Sequence, residues 1–402
     1  MKKIISIFLA VTITLSLFSI SVSASQEENE KLMFNSDGTF KIMQIADLQD
    51  NTNPVKQTNE YLREVIADQQ PDLLILTGDN ISDSVARGFT RAHSEQKVRK
   101  AIDSFMSLFE EIGIPVAVVL GNNDAEGYVS KEQQMAIYNE YDCCIAIDEG
   151  ESLSGCGTYN LPIYSSDGSK IAYNLWLFDS NMYDPMFDGY DHVHEDQIEW
   201  YVNKSNELKA QNGGEPVPSM AFQHIIVPEV YNALQQVESS ENAIQRGGKF
   251  FVLPEDATGS LLEPPAVAAQ DSMQFEKMVE QGDVKAMFTG HDHKNDFVVS
   301  YMGIDLSTTP AAGFGGYGAD NRGVRVIVLD ENNTDTYETE TIHYLGTYCT
   351  EPLEVLLYHI NGLKYIWDMF IMGLTIPLKS FINLISETRG VKNIETRKQT
   401  SL

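Results

Sequence analysis

The chain has 402 residues, 43% of them apolar, and a formal net charge of -30. This length and apolar content are enough to bury a core, which excludes global disorder. Such an acidic surface argues against nucleic acid or an anionic membrane as a general partner. It also repels phosphate esters, so an enzyme acting on them needs a local positive charge, which bound metal ions supply.

The N-terminal segment 1–24 has the pattern of a secretory signal peptide. Lys2 and Lys3 give a positive start, residues 4–22 are almost wholly apolar or hydroxylic, and residues 22–24 form a small-residue cleavage pattern. We therefore expect a secreted or cell-surface protein. An uncleaved N-terminal membrane anchor is the alternative interpretation.

From residue 35 to residue 347, strand-like and helix-like segments alternate, which predicts one layered α/β domain. Strands are expected at residues 40–46, 72–77, 115–120, 171–178, 220–223, 284–289, 297–301 and 324–329. Helices are expected at residues 58–68, 95–112, 195–209 and 272–281.

Four cysteines lie in this span or just beyond it, and their spacing fits no zinc motif. In an exported protein, a disulfide from Cys156 to either Cys143 or Cys144 is one interpretation. Free buried thiols, including Cys349, are the other.

Beyond residue 352 the pattern changes to apolar residues at helical spacing, which continue to about residue 386. Asp368, Pro377 and Lys379 interrupt this run, so it is a poor membrane-spanning helix. We expect amphipathic helices and a basic tail over residues 352–402. The helices would pack on the domain, lie at a membrane surface or dock a partner protein through residues 352–386.

Short polar clusters directly follow five of the predicted strands. Sites in α/β sheets form outside the carboxyl ends of strands, so clusters that are distant in sequence can converge there. Taken singly, each cluster fits a turn or a core histidine, whereas the ordered set favours a shared site. The candidate residues are Asp47, Gln49, Asp79, Asn122, Asn123, Asp124, His224, His291 and His293.

These residue types predict a metal centre. Carboxylate, amide and imidazole ligands without thiolate suit Mn, Fe or Zn. Two such ions about 3.5–4 Å apart can clamp a phosphoryl group and activate a shared water. Gly78, Gly121 and Gly290 precede three of the clusters and fit tight exits from strand to loop. We therefore expect two divalent or mixed-valence ions and a phosphate-ester substrate.

The ordered motifs resemble those of the calcineurin-like metallophosphoesterases, and look most like the purple-acid-phosphatase-like subgroup. The segments PDLLILTGDNI and GDVKAMFTGHDHKNDF carry much of this resemblance. It covers roughly residues 41–344 and implies a four-layer αββα sandwich with a dinuclear site between the sheets. It also implies that one metal takes Asp47, Asp79 and His293. The other would take Asn122, His224, His291 and the bridging Asp79.

Three positions depart from the family pattern. Gln49 replaces a ligand histidine of the first metal, and an amide oxygen is a weaker, neutral ligand. Asn123 replaces the histidine that helps the leaving group, and it cannot act as a general acid. Ser82 lies where purple phosphatases have an iron-binding tyrosine, so we expect no purple colour. The resemblance thus implies an exported phosphatase or phosphodiesterase, or alternatively an inactive binding protein of the same fold.

A few further residues have two open interpretations. Asp124 is expected to support the site beside Asn123. His192 and His194 fit either a helix-capping segment or the mouth of the site, and Tyr317 either a plain loop or a substrate contact. Arg322 and Arg325 could contact phosphate, although Arg325 fits a salt-bridge partner better.

Overall fold

A computed structural model describes residues 31–52, 55–82, 90–149, 152–238 and 241–360. Its strands are β1 Thr39–Ile45, β2 Leu73–Thr77, β3 Val116–Val119, β4 Tyr159–Tyr164, β5 Ile171–Leu177, β6 Ser219–Gln223, β7 Gln235–Val237, β8 Ile244–Arg246, β9 Lys249–Val252, β10 Val284–Thr289, β11 Val298–Tyr301, β12 Ile304–Thr308, β13 Gly323–Asp330 and β14 Tyr337–His343. Its helices are α1 Lys56–Gln69, α2 Arg91–Ile112, α3 Lys131–Tyr138, α4 Glu195–Gln211, α5 Val230–Ala233 and α6 Gln274–Gln281, and residues 352–360 are also helical.

Two large sheets form the centre of the fold. The first has the order β14-β13-β1-β2-β3, and β1, β2 and β3 run parallel. The second has the order β11-β12-β10-β6-β5-β4, and its four central strands run parallel. The carboxyl ends of the parallel strands in each sheet therefore lie along one edge. Strands β7, β9 and β8 form a small third sheet.

Alternating side chains along the second sheet divide between two hydrophobic cores. Leu175, Phe222 and Phe288 belong to a core shared with β1, β2 and β3. Their neighbours Trp176 and Met287 face the other way and pack with residues of α4 and α6. Helices α1 and α2 cover the first sheet, because their apolar faces join the shared core. The predicted αββα sandwich is confirmed.

A buried amide fixes the two sheets to each other near this edge. Gln44 of β1 donates from Nε2 to Thr77 Oγ1 (2.9 Å) and to the carbonyl oxygen of Thr289 in β10 (3.2 Å). Its Oε1 accepts a hydrogen bond of 2.6 Å from Thr309. Since all polar atoms of the amide are paired, the contact orients the sheets without leaving a buried group unsatisfied.

The predicted strands and helices of the domain all occur, with small differences at their ends. The sequence interpretation missed α3, α5, β4, the small sheet, β12 and β14, most of which are short or lie at edges. The disulfide interpretation was wrong, because all four cysteines are free. Cys144 pairs with β3 of the first sheet, whereas the backbone of Cys156 binds Asp179 beyond β5 of the second sheet.

The two ends of the chain fall largely outside the described residues. This applies to the predicted signal peptide and to the C-terminal segment after residue 360. Within the described helix 352–360, Leu353 and Leu356 are exposed, while Tyr358 donates a hydrogen bond of 2.8 Å to the carbonyl oxygen of Ala319. No helix in the described ranges has both the length and the apolar character needed to cross a membrane.

Candidate metal centre

The predicted ligands converge at the carboxyl ends of β1, β2, β3, β6 and β10. Their backbone makes sharp exits there: Asp47, Gln49, Asp79 and His291 have φ angles of 51°, 43°, 49° and 71°. Non-glycine residues rarely adopt this left-handed conformation, and in folded proteins such strain concentrates at functional sites. Strands β1, β2 and β10 thus turn their first polar side chains back towards the gap between the sheets.

Asp47, Asp79 and His293 form the first group of donor atoms, within 4.8 Å of one another. His293 Nδ1 lies 2.7 Å from the carbonyl oxygen of Tyr317, to which it must donate. Its other nitrogen, Nε2, therefore presents a lone pair in the neutral ring, and it lies 3.3 Å from Asp47 Oδ1. A histidine held in this way by a backbone carbonyl is oriented for metal binding.

The second group contains Asp79, His224 and His291, again within 4.8 Å. His224 Nδ1 donates to the carbonyl oxygen of Thr77 at 2.9 Å, so Nε2 faces the site. That nitrogen lies 3.3 Å from Asp79 Oδ1, 3.1 Å from His291 Nδ1 and 3.2 Å from Asn122 Oδ1. These three side chains and that of Asn122 are all buried.

A cation fits this arrangement because acceptor atoms face acceptor atoms. Burial lowers the pKa of His224, but the Asp79 carboxylate outweighs it and raises that pKa to about 9. Burial and the positive charge on His224 together lower the pKa of His291 to about 3. The Asp79 carboxylate thus favours one positive charge, on His224, and that charge excludes a second on His291. Asp47 Oδ1 and His291 Nε2 have no hydrogen-bond partner in the described part of the chain, which further supports metal binding.

Comparison with known proteins agrees with this geometry. Residues 40–295, more than half of the chain, match the family model described as calcineurin-like phosphoesterase. The chain belongs to this family. It is 29% identical to the "Probable inactive purple acid phosphatase 29" of Arabidopsis thaliana, over 76% of this chain and 80% of that protein.

Two further proteins extend the comparison of this calcineurin-like phosphoesterase. The "Phosphatase DCR2" of Saccharomyces cerevisiae is 25% identical over 77% of this chain and 55% of that protein. Among solved structures, a dimetal phosphatase from Danio rerio is 12% identical, covers 76% of this chain and 99% of its own, and has a TM-score of 0.46.

Gln49 and Asn123, two of the three positions that depart from the family pattern, lie at the site. Gln49 Nε2 is 3.4 Å from Asp79 Oδ2 and 3.3 Å from His293 Nε2, so the amide lies among the ligands but directs its N–H donors, not its oxygen, towards them. The backbone N–H of Asn123 donates to Asp79 Oδ1 at 2.8 Å. Its side-chain oxygen accepts a hydrogen bond of 3.0 Å from Asn122. Asn123 therefore combines backbone support with a neutral polar side chain.

Asp124 lies behind the site and acts on it through the backbone. Its buried carboxylate accepts hydrogen bonds from the N–H groups of Gly121 (2.7 Å) and Ile81 (3.1 Å). Burial and the nearby charge of Asp79 raise its pKa to about 6. These contacts hold the loops after β2 and β3 together, so Asp124 is a positioning residue.

Two tyrosines pack on the ligand histidines of the calcineurin-like phosphoesterase. Tyr317 stacks on His293, with 3.9 Å between ring centroids and 6° between ring planes. The edge-to-face contact of Tyr190 with His291 has a centroid distance of 4.3 Å. Tyr183 in turn stacks on Tyr190. No sequence pattern pointed to Tyr190, apart from its position next to the Asp-His-Val-His segment.

Both arginines bind backbone carbonyl oxygens through their guanidinium groups. Arg322 binds the carbonyl oxygens of Gly313 and Gly316, and so shapes the loop that carries Tyr317. Arg325 is buried and donates to the carbonyl oxygens of Asp296 (2.7 Å) and Thr308 (3.0 Å). These backbone contacts argue against the phosphate contacts considered for the two side chains, which stay predictions.

We expect Gly121→Ala to weaken metal binding by about 10–100-fold, the usual effect of losing support behind a ligand. A Cβ atom at Gly121 would lie 2.3 Å from both the backbone nitrogen and Oδ1 of Asp79, so that ligand must move. The control is Gly113→Ala at the end of α2, where nothing lies within 4 Å. It should lower the melting temperature without changing metal affinity. Equal metal affinities in the two variants, by isothermal titration calorimetry, would contradict this prediction.

Proposed function

We propose that this protein is an exported, metal-dependent hydrolase of phosphoric esters, either a phosphatase or a phosphodiesterase. The observation that carries the proposal is the pair of donor groups that share Asp79. Membership of the calcineurin-like phosphoesterase family supports the reaction class.

Asp47, Asp79 and His293 would hold one ion, joined by Gln49 once its amide turns its oxygen towards them. Asp79, Asn122, His224 and His291 would hold the other. The ions supply positive charge that neutralises the ester and a Lewis acid that acidifies water. The chain's own residues keep the ligands in place: Thr77 and Tyr317 fix the histidine tautomers through their carbonyl oxygens. Tyr190 and Tyr317 cover the rings of two ligands and restrict the access of bulk water.

Asn123 limits which esters react quickly. An amide can donate a hydrogen bond to a leaving oxygen, but it cannot transfer a proton at neutral pH. The leaving group must then depart as an anion. We propose that the enzyme prefers esters whose leaving group is itself acidic, such as aryl esters, over alkyl esters.

The purified protein, loaded with Mn, Fe or Zn, should hydrolyse p-nitrophenyl phosphate or bis(p-nitrophenyl) phosphate much faster than glycerol phosphate. Because general acid catalysis typically contributes 10²–10⁴-fold, the rate ratio should be about that large. Removal of the metal by a chelator should abolish the activity. Addition of the metal should then restore it. Aryl ester hydrolysis that survives complete metal removal, checked by elemental analysis, would refute the proposal.

A second candidate function is a binding protein with the same fold. The position of Gln49 among the ligands favours it, and so do the names of the Arabidopsis relatives, which describe probable inactive phosphatases. The number of ions per chain separates the two functions. Two ions with aryl esterase activity support the hydrolase, whereas an active-site metal content near zero supports the binding protein.

Export and the C-terminal surface belong to the same proposal. Cleavage after Ala24 predicts a mature secreted chain that begins at Ser25, which intact mass spectrometry of the exported protein tests. The exposed Leu353 and Leu356 support a role of residues 352–386 in contacting a membrane surface or a partner.

A further inference from the structure

A second cluster of metal-type side chains lies outside the centre, on the connection between β5 and α4. Asp191 Oδ1 is 3.1 Å from His192 Nδ1 and 3.1 Å from His194 Nε2. One donor atom from each of the three residues lies within 4.8 Å of the other two. None of the three is among the ligands of the centre described above.

Only one of the two imidazoles makes a hydrogen bond to Asp191 through its ring nitrogen. His194 Nε2 meets both oxygens of Asp191 with hydrogen-bond geometry. His192 Nδ1 is equally near, yet it is buried and makes no hydrogen bond in the described part of the chain. Buried polar atoms in folded proteins almost always have a partner, so the orphaned nitrogen points to a ligand.

The distances between the oxygen of Asp191 and the two imidazole nitrogens suit an ion with tetrahedral coordination. With bonds of about 2.0–2.1 Å, neighbouring ligand atoms around zinc lie roughly 3.3 Å apart. Both contacts of Asp191 are close to that value. The side chains of His192 and His194 are 22% and 35% exposed, which leaves one side open for a water ligand. Two imidazoles and a carboxylate select zinc-like ions over calcium or magnesium.

The surrounding charge also favours a cation. Residues 179–196 contain six carboxylates and no lysine or arginine, and Lys131 of α3 pairs with one of them, Asp179 (2.6 Å). The other five are Asp184, Asp188, Asp191, Glu195 and Asp196. From these observations we propose that Asp191, His192 and His194 bind a third, mononuclear ion of the zinc type.

An ion at this position would stabilise the loop beside the centre. Tyr190 is the neighbour of Asp191, and its ring contacts His291. Asn181 donates to the carbonyl oxygen of His192 at 2.7 Å, which closes the loop on itself. The third ion therefore holds the segment that places Tyr190 over a ligand of the centre, and does not itself touch the substrate.

Zinc titration of an Asp79→Asn variant tests this site, because that background removes the shared ligand of the centre. The measurement is the number of zinc ions per chain by equilibrium dialysis and elemental analysis, with cobalt as a spectroscopic probe. Adding His192→Ala and His194→Ala should remove one ion per chain, or weaken its binding at least tenfold. The control His359→Ala, an exposed histidine near Asp320, should retain that ion.

Equal zinc stoichiometry and affinity with and without the two substitutions would overturn the proposal. Circular dichroism checks that the variants fold, and His192→Asn alone replaces the pair if they do not. The single change removes the orphaned imidazole nitrogen and should cause the same loss of zinc. The result is independent of ester hydrolysis, so an inactive protein that binds this ion would refute only the proposed function.

Discussion

Asp79→Asn should leave the protein folded, yet abolish hydrolysis and most metal binding at the centre. Asp79 belongs to both donor groups. Its Oδ1 faces His224 of the second group, and its Oδ2 faces Gln49 beside the first. The asparagine oxygen can still accept the hydrogen bond from the N–H of Asn123, so the backbone keeps its support. The carboxylate charge that draws a cation to the site is lost. We expect aryl esterase activity to fall on the order of 10³-fold or more, the size associated with losing a principal electrostatic group.

The matched control is Asp103→Asn on α2, where an exposed carboxylate accepts hydrogen bonds from Ser107 and Tyr141 and belongs to neither donor group. It should keep full activity and full metal content. Steady-state kinetics and elemental analysis of both proteins measure the effect. If Asp79→Asn retained activity within a few-fold of the parent protein, neither donor group could be the working centre.

Asn123→His should accelerate hydrolysis of alkyl esters by about 10²–10⁴-fold, the usual contribution of a positioned general acid. Residue 123 follows the ligand Asn122, and its backbone already binds Asp79, so a histidine there begins from a fixed position. Aryl esters should gain much less, because their leaving groups do not need a proton. The comparison is between kcat/KM values for glycerol phosphate and p-nitrophenyl phosphate.

Gln49→His separates general acid catalysis by residue 123 from changes in metal binding. It should raise metal affinity and improve both esters to a similar extent, since an imidazole is a stronger ligand than an amide. A parent protein with almost no activity on either ester, and a large gain on both only when the two histidines are restored together, would favour the binding protein. An Asn123→His variant with unchanged preference between the two esters would refute the role given to Asn123.

The sequence was sufficient to predict the central strands and the ligands that follow them. Buried parallel strands such as β2 and β10 are continuous apolar runs, and the polar residues after them stand out. The convergence of His224 and His291 also follows from topology, because the neighbouring parallel strands β6 and β10 end at one edge of the second sheet.

Other features of the fold and of the site could not be predicted, because they depend on tertiary contacts that no local sequence pattern encodes. Edge strands such as β14 are largely polar and too weakly patterned to recognise. The placement of Tyr190 on His291 is set by a long connection between β5 and α4. The roles of Arg322 and Arg325 were missed because carbonyl partners, unlike charged ones, leave no signature in a sequence.

The ligands are divided between the two sheets, and this has a mechanical consequence. Asp47, Asp79 and Asn122 leave the first sheet, whereas His224 and His291 leave the second. Bound ions would thus link the two sheets, and their binding free energy would add to the free energy of unfolding of the domain. Resistance to heat and to proteases would then track the supply of metal where the protein works.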